Sequence, residues 1–483
     1  MSRSLKHSVR HMVRASLYNP RLIALAHALL RPFPALEEEV RVLAYRLKRT
    51  GRTIPAPLTQ KQLQQPQQES IPKSYTPQLL FDVSELALRD VHTGIQRVVR
   101  ALLSEMLHKP PAGHRFMPVR SNADGQLVYA NRFMAAILGH HDPEREDSPV
   151  EAMPGDLFFT ADLHLAFPFA ELQRMRTQGL RVVFTVYDLL AVQLNTMPKA
   201  YRLAFGDWLD GVLATADALV CDSRAVADEV VEWLQTHPDA RSSSLPIGYF
   251  HLGADLEASQ PTQGVSPQDE AALQQICSEP TLLMVGTIEP RKGHAQAVAA
   301  MERLWADGLA LNLVIVGKEG WRTHELICRL RHHPQRNHRL FWLDHASDAV
   351  LLRLYAQSTV LLAVSYAEGF GLPLIEAAHH HLPIIARDIP VFREVAGEHA
   401  FYFNGESSEA LAEAIRLWLA LHSVGQAPQS SGMPYLTWAQ SVGRLQDCIL
   451  GGHWYRTWTP PTGKLKKLPV VSEFCWTDDS NPQ

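Results

Sequence analysis

The sequence predicts an α/β protein of two doubly wound, Rossmann-like domains facing each other across a cleft, with a helical arm in front. Three observations carry this prediction. The chain has 483 residues, too many for one hydrophobic core. Short apolar runs such as Val360-Leu361-Leu362-Ala363-Val364 and Arg181-Val182-Val183-Phe184-Thr185-Val186 recur, as strands buried on both faces of a parallel sheet require. Several of these runs lead through a Gly, Ser or Thr turn into an amphipathic helix, the pattern of strand–helix–strand units.

Composition narrows the class. Hydrophobic content of 46% and charged content of 20% are those of a globular protein. The formal charge of −4 is unevenly placed: residues 1–53 hold eleven Lys/Arg against three Glu, leaving an acidic body. Such a body does not suit nucleic acid as a partner. The five cysteines (Cys221, Cys277, Cys328, Cys448, Cys475) are odd in number and widely spaced, without a metal-ligand pattern, and fit a reducing cytosol. No apolar run reaches the roughly eighteen to twenty residues that span a bilayer. A signal-peptide core is also lacking, so a cytoplasmic location is expected, with any membrane work peripheral.

Residues 1–75 read as basic arm and linker. Leu5, Val9, Met12, Val13 and Leu17 fall at helical spacing with Arg3, Lys6, Arg10 and Arg14 off that stripe, which suits an anionic membrane surface or packing on the body. A second helix covers Leu36 to Arg49, and Thr53 to Ser74 is Gln/Pro-rich linker. Residues 76–257 form the first domain, opening with the strand Leu79–Val83; Thr93-Gly94 then start a helix whose inner face is Ile95, Val98, Val99 and Leu102. Asp188 stands at the end of the strand from Arg181, either lining the cleft or capping the turn. Ser223 caps the helix that begins with Arg224.

The second domain is expected over 276–432, after a polar boundary at 256–275. Its first strand ends at Gly286-Thr287, and the loop brings Arg291 and Lys292 to a helix start, where two cations and helix amides favour phosphate. A later strand ends at Leu343. The most informative stretch is Glu368-Gly369-Phe370-Gly371-Leu372-Pro373-Leu374-Ile375-Glu376. Glycines let the backbone approach a ligand closely, and Pro373 suits a helix start. The helix start holds an anion, while the two glutamates accept hydrogen bonds from sugar or ribose hydroxyls. His379-His380-His381 is not read as a metal site, because adjacent helix positions diverge. Residues 433–451 form a helix and 452–483 a tail.

This stretch resembles the glutamate, seven residues, glutamate signature of retaining glycosyltransferases of family 4 (group 1), which have the GT-B fold. The resemblance covers roughly residues 78–450. It implies that Glu368 faces the transferred sugar and Glu376 the ribose, with amides from Gly369, Phe370, Gly371 and Leu372. It implies that Gly94 lies near the donor diphosphate, Ser223 and Arg224 on the cleft side, and Leu343 near the base. It also implies that the helix at 433–451 crosses back to the first domain. Arg291 and Lys292 would clamp the diphosphate, although Thr287 stands where many members carry arginine. Tyr187 replaces a frequent histidine, so no histidine role carries over.

The implied reaction moves a sugar from a nucleotide diphosphate donor to a hydroxyl of a saccharide or lipid-linked acceptor, with retention and without metal or cofactor. Thr93-Gly94-Ile95-Gln96-Arg97-Val98-Val99-Arg100 looks like mannosyltransferases of bacterial surface polysaccharides, making GDP-mannose the first choice and leaving UDP- and dTDP-sugars open. Two rivals are a nicotinamide oxidoreductase, which lacks its Gly-x-Gly-x-x-Gly turn here, and a catalytically silent transferase-like scaffold.

Overall fold

The computed structural model describes residues 34–49, 74–90, 93–139, 146–255, 264–276 and 279–461. The membrane-binding reading of residues 1–31 and the linker reading of 53–74 lie, all but its last residue, outside these. The described part of the arm, helix α1 (Pro34–Arg49), packs on the first lobe. Tyr45 bonds Asp207, and Glu38 accepts from Lys199 N at 2.6 Å and from Arg322 of the second lobe at 2.8 Å.

The first lobe holds an eight-stranded sheet in the order β3-β2-β1-β4-β5-β6-β7-β14. These strands are β1 (Gln78–Asp82), β2 (Arg115–Ser121), β3 (Leu127–Tyr129), β4 (Leu157–Thr160), β5 (Arg181–Val186), β6 (Ala218–Cys221), β7 (Leu245–Tyr249) and β14 (Arg456–Trp458). All pair in parallel except β3 and β14 at the edges. The second lobe holds β8 (Thr281–Val285), β9 (Asn312–Val316), β10 (Leu340–Leu343), β11 (Val360–Ala363), β12 (Ile384–Arg387) and β13 (Phe401–Phe403). Its order is β10-β9-β8-β11-β12-β13, parallel throughout. The apolar runs are strands because both faces are covered: β1, β4, β6, β9 and β12 are buried at every position.

The strand order of the second lobe reverses between β8 and β11, so a crevice opens beyond the carboxyl ends of these two strands. The loops carrying Arg291-Lys292 and Glu368–Gly371 leave those two ends. Neighbouring strands thus bring together residues 76 positions apart.

The chain passes between the lobes twice, side by side. Ala254 N donates to Leu436 O at 2.9 Å, and Trp438 N donates to Asp255 at 2.7 Å. A Cβ on Gly253 would lie 2.6 Å from Trp438, so only glycine permits this approach. Thr437 and Gln440 form a capping box that starts the helix Trp438–Ile449. This helix lies on Gly94–His108 of the first lobe, and Ser441 Oγ donates to His251 O at 2.7 Å. The tail reading is corrected at its start: Arg456–Trp458 is not free tail but pairs antiparallel with β7.

Candidate active site

The floor of the crevice is a turn and a helix start. Pro290–Lys292 form a short 3-10 turn, and Gly293, at φ 71°, leads into the helix His294–Ala306. A Cβ on Gly293 would come within 2.5 Å of Val364 O, which pins this turn against the end of β11. Opposite it Gly371, at φ 98°, starts the helix Leu372–His379, with Pro373 in its first turn.

Side chains from both loops converge on Glu368. Lys292 Nζ donates to Oε1, and Arg291 Nη1 donates to Oε2 at 2.8 Å. Arg291 also donates to Glu289 at 2.9 Å and to Ala367 O at 3.1 Å, so its Nε and Nη1 together hold three acceptors. Burial alone would raise the carboxyl of Glu368, but Lys292 and Arg291 overcome it and bring the group down to about 2. Burial likewise works against the charge of Arg291, and Glu368, Glu289 and Asp188 more than offset it. Lys292 and Arg291 thus both hold Glu368, and Arg291 ties that carboxylate to Glu289 and to the Ala367 carbonyl.

Glu376 lies deeper, 2% exposed, with both oxygens taken. Tyr355 Oη donates to Oε2 at 2.6 Å, and Arg97 of the first lobe donates to Oε1 at 2.8 Å. Arg97 also bonds Asp348 at 3.1 Å. Gly94 and Thr93 serve this arrangement from a distance: Thr93 caps Gly94–His108 through a capping box, which aims Arg97 across the cleft. Open space surrounds the point where a Cβ on Gly94 would stand.

The first lobe meets the glycine loop directly. Ser223 Oγ donates to Gly369 O at 2.7 Å, and a Cβ on Gly369 would stand 2.0 Å from Tyr187 O. Phe370 is buried against the His251 ring at 5.6 Å. Arg224 exposes its side chain and uses its amide, which donates to Glu394 at 2.7 Å; Ala225 N and His251 Nε2 reach the same carboxylate at 2.7 Å. Asp188 accepts from Leu190 N at 3.1 Å, the turn-capping geometry, and its field reaches Arg291 and Glu368 across the cleft. Burial raises Asp188, and Arg291 opposes that rise.

Thr287 is exposed on the rim beside Gly317, while Leu343 ends β10 with its carbonyl accepting from Gly317 N at 3.1 Å. In the histidine run, His379 bonds Tyr435 and His380 stacks on Tyr355. Among the described residues no group of three or more His, Cys, Asp or Glu is arranged to hold a metal. Sequence reasoning missed the tasks of Arg97, Tyr355, Glu394 and His251. The one available signal was that Arg97 falls in the first turn of its helix, off the apolar face.

Residues 267–427 match the family described as glycosyl transferases group 1. The serotype-specific mannosyltransferase WbdA of Escherichia coli is 42% identical over 408 residues, covering 83% of this chain and 47% of that protein. The O-antigen chain mannosyltransferase B of E. coli is 27% identical over 28% of this chain and 35% of its own. This chain thus spans about half the length of the curated relatives it matches most extensively. Among solved structures, the catalytic domain of starch synthase IV from Arabidopsis thaliana superposes with a TM-score of 0.52, at 12% identity over 78% of this chain and 99% of that one. Sucrose-phosphate synthase from Thermosynechococcus elongatus gives 0.50, at 17% identity over 78% and 97%. The lobes, the switch-point crevice and the matched stretch agree: the protein carries a group 1 glycosyl transferase domain, residues 267–427, within a GT-B fold.

Proposed function

We propose that this protein transfers a mannosyl residue from GDP-mannose to a hydroxyl of a saccharide or lipid-linked saccharide acceptor in surface polysaccharide synthesis, with retention of configuration. The observation that carries the reading is the convergence of Lys292, Arg291 and Glu368 on the crevice between β8 and β11. A diphosphate seated there gains a lysine ammonium and the amides of two helix starts, and stabilising it as it departs is the main electrostatic task. Glu368, ionised beside that charge, accepts from a sugar hydroxyl, and Glu376 accepts from the ribose once Arg97 releases it. The departing phosphate oxygen takes the acceptor proton, so no metal or protein base is assigned. The choice of mannose rests on the 42% identity to a mannosyltransferase.

The test is turnover. Purified protein is offered GDP-mannose, UDP-glucose and dTDP-rhamnose with mannoside acceptors, and nucleoside diphosphate release is followed. GDP release with an α-linked product by NMR supports the proposal; a β-linked product, or preference for another donor, overturns the corresponding part. The same assay with and without chelator addresses the metal.

A further inference from the structure

We propose that His294 is an additional donor-binding residue, giving a hydrogen bond from its neutral imidazole to an oxygen of the nucleotide diphosphate. This inference rests on the nucleotide-sugar reading above and assigns a residue that reading leaves without a task.

His294 is the first residue of the helix His294–Ala306, directly after the Gly293 turn that Val364 O holds in place. Its side chain lines the cavity at the ends of β8 and β11, together with Lys292, Ser365, Glu368 and Gly371. The residue is 2% exposed, yet Nδ1 has no hydrogen-bond partner among the described residues. An unpaired buried polar group is destabilising, and an apolar residue at this position would avoid that penalty. Burial, and Lys292 nearby, bring the ring down to about 3, so it is neutral and carries one N–H.

The surroundings select the guest. Lys292 and two helix starts, at His294 and Leu372, make the cavity positive. The acid lining it, Glu368, is already paired with Lys292 and Arg291. A phosphate oxygen therefore fits Nδ1–H better than a neutral hydroxyl. A neutral donor also serves beside Lys292 where a second cation would be repelled.

The test uses the full chain and isothermal titration of GDP, UDP and inorganic pyrophosphate. His294→Phe removes the ring nitrogen at similar size and is expected to weaken all three about tenfold or more. His294→Asn places an amide N–H near the Nδ1 position and is expected to bind within a few-fold of the parent; His294→Gln is expected to follow His294→Phe. Melting curves identify any variant that fails to fold, and the Asn/Gln contrast decides the matter if the Phe variant does. Parental binding by His294→Phe, or equal loss in Asn and Gln, overturns the assignment. If Lys292→Met loses binding while His294→Phe keeps it, only the histidine assignment falls. If the parent binds none of the three, the nucleotide-sugar reading falls with it.

Discussion

Arg97 of the first lobe donates to Glu376 of the second at 2.8 Å, on the carboxylate that the family resemblance gives to the ribose. A ribose bound there would compete with this inter-lobe bond for one oxygen. Arg97→Met is expected to destabilise the protein by about 2–3 kcal/mol, somewhat below the ~3–5 kcal/mol of a fully buried broken pair, since Arg97 retains 21% side-chain exposure. Nucleotide affinity is expected to rise several-fold in the same variant. Calorimetric melting and GDP titration check both halves; weaker binding would mean that Arg97 helps hold the donor.

Lys292→Met leaves Arg291 as the one cation bonded to Glu368 and removes an ammonium from the crevice. Turnover is expected to fall about 10²–10³-fold, the usual loss when one electrostatic contact to developing charge is removed. Glu368→Gln should cost less in the Lys292→Met background than in the parent, because the two side chains share one interaction. A double-mutant cycle on kcat measures this.

Gly369→Ala would drive a Cβ to within 2.0 Å of Tyr187 O, so the loop must retreat from the first lobe. A displacement of roughly 1 Å is expected to cost about 100-fold in kcat. Folding should survive, because the retreat opens the lobes without emptying a core. Circular dichroism beside initial rates separates the two effects.

Two acid groups give stability opposite pH dependences. Glu368 titrates near 2 when folded against 4.5 when free, so its contribution is complete above 4.5 and is lost as pH falls toward 2. Asp162 is raised to about 7 from 3.8, chiefly by burial and then by Asp82. Its contribution is complete below 3.8 and is lost as pH rises through 7. Melting temperature should therefore decline from pH 5 to 8 in the parent, and less so in Asp162→Asn. An equal slope in both would exclude Asp162 as the source.

Glu394→Ala removes a carboxylate that accepts from Arg224 N, Ala225 N and His251. The loss of a helix-end acceptor is expected to cost about 1–2 kcal/mol. With this bridge gone the lobes should separate, and small-angle scattering should record a larger radius of gyration.

Much of this was legible in the chain. Lys292 and Glu368 lie 76 residues apart, yet each follows an apolar run ending in a glycine turn, and strand order makes those ends neighbours. The Arg97–Glu376 and Arg224–Glu394 contacts were not legible, spanning 279 and 170 residues between separate lobes. No periodicity within either lobe encodes how the two lobes face each other. The strand Arg456–Trp458 was hidden for a different reason: three residues are too few to show alternation. A cation at a helix start points Arg291 to phosphate, whereas its three acceptors, Glu289, Ala367 O and Glu368, follow from loop geometry that no local pattern encodes.

The edge strand Arg456–Trp458 has a consequence for biogenesis. The second lobe is an insertion between β7 and that strand, and all its own strands, Thr281 to Phe403, leave the ribosome before the first lobe's sheet gains its final edge. During synthesis the inner lobe matures within an unfinished outer one, and β7 keeps an unpaired border that a neighbouring nascent chain could seize.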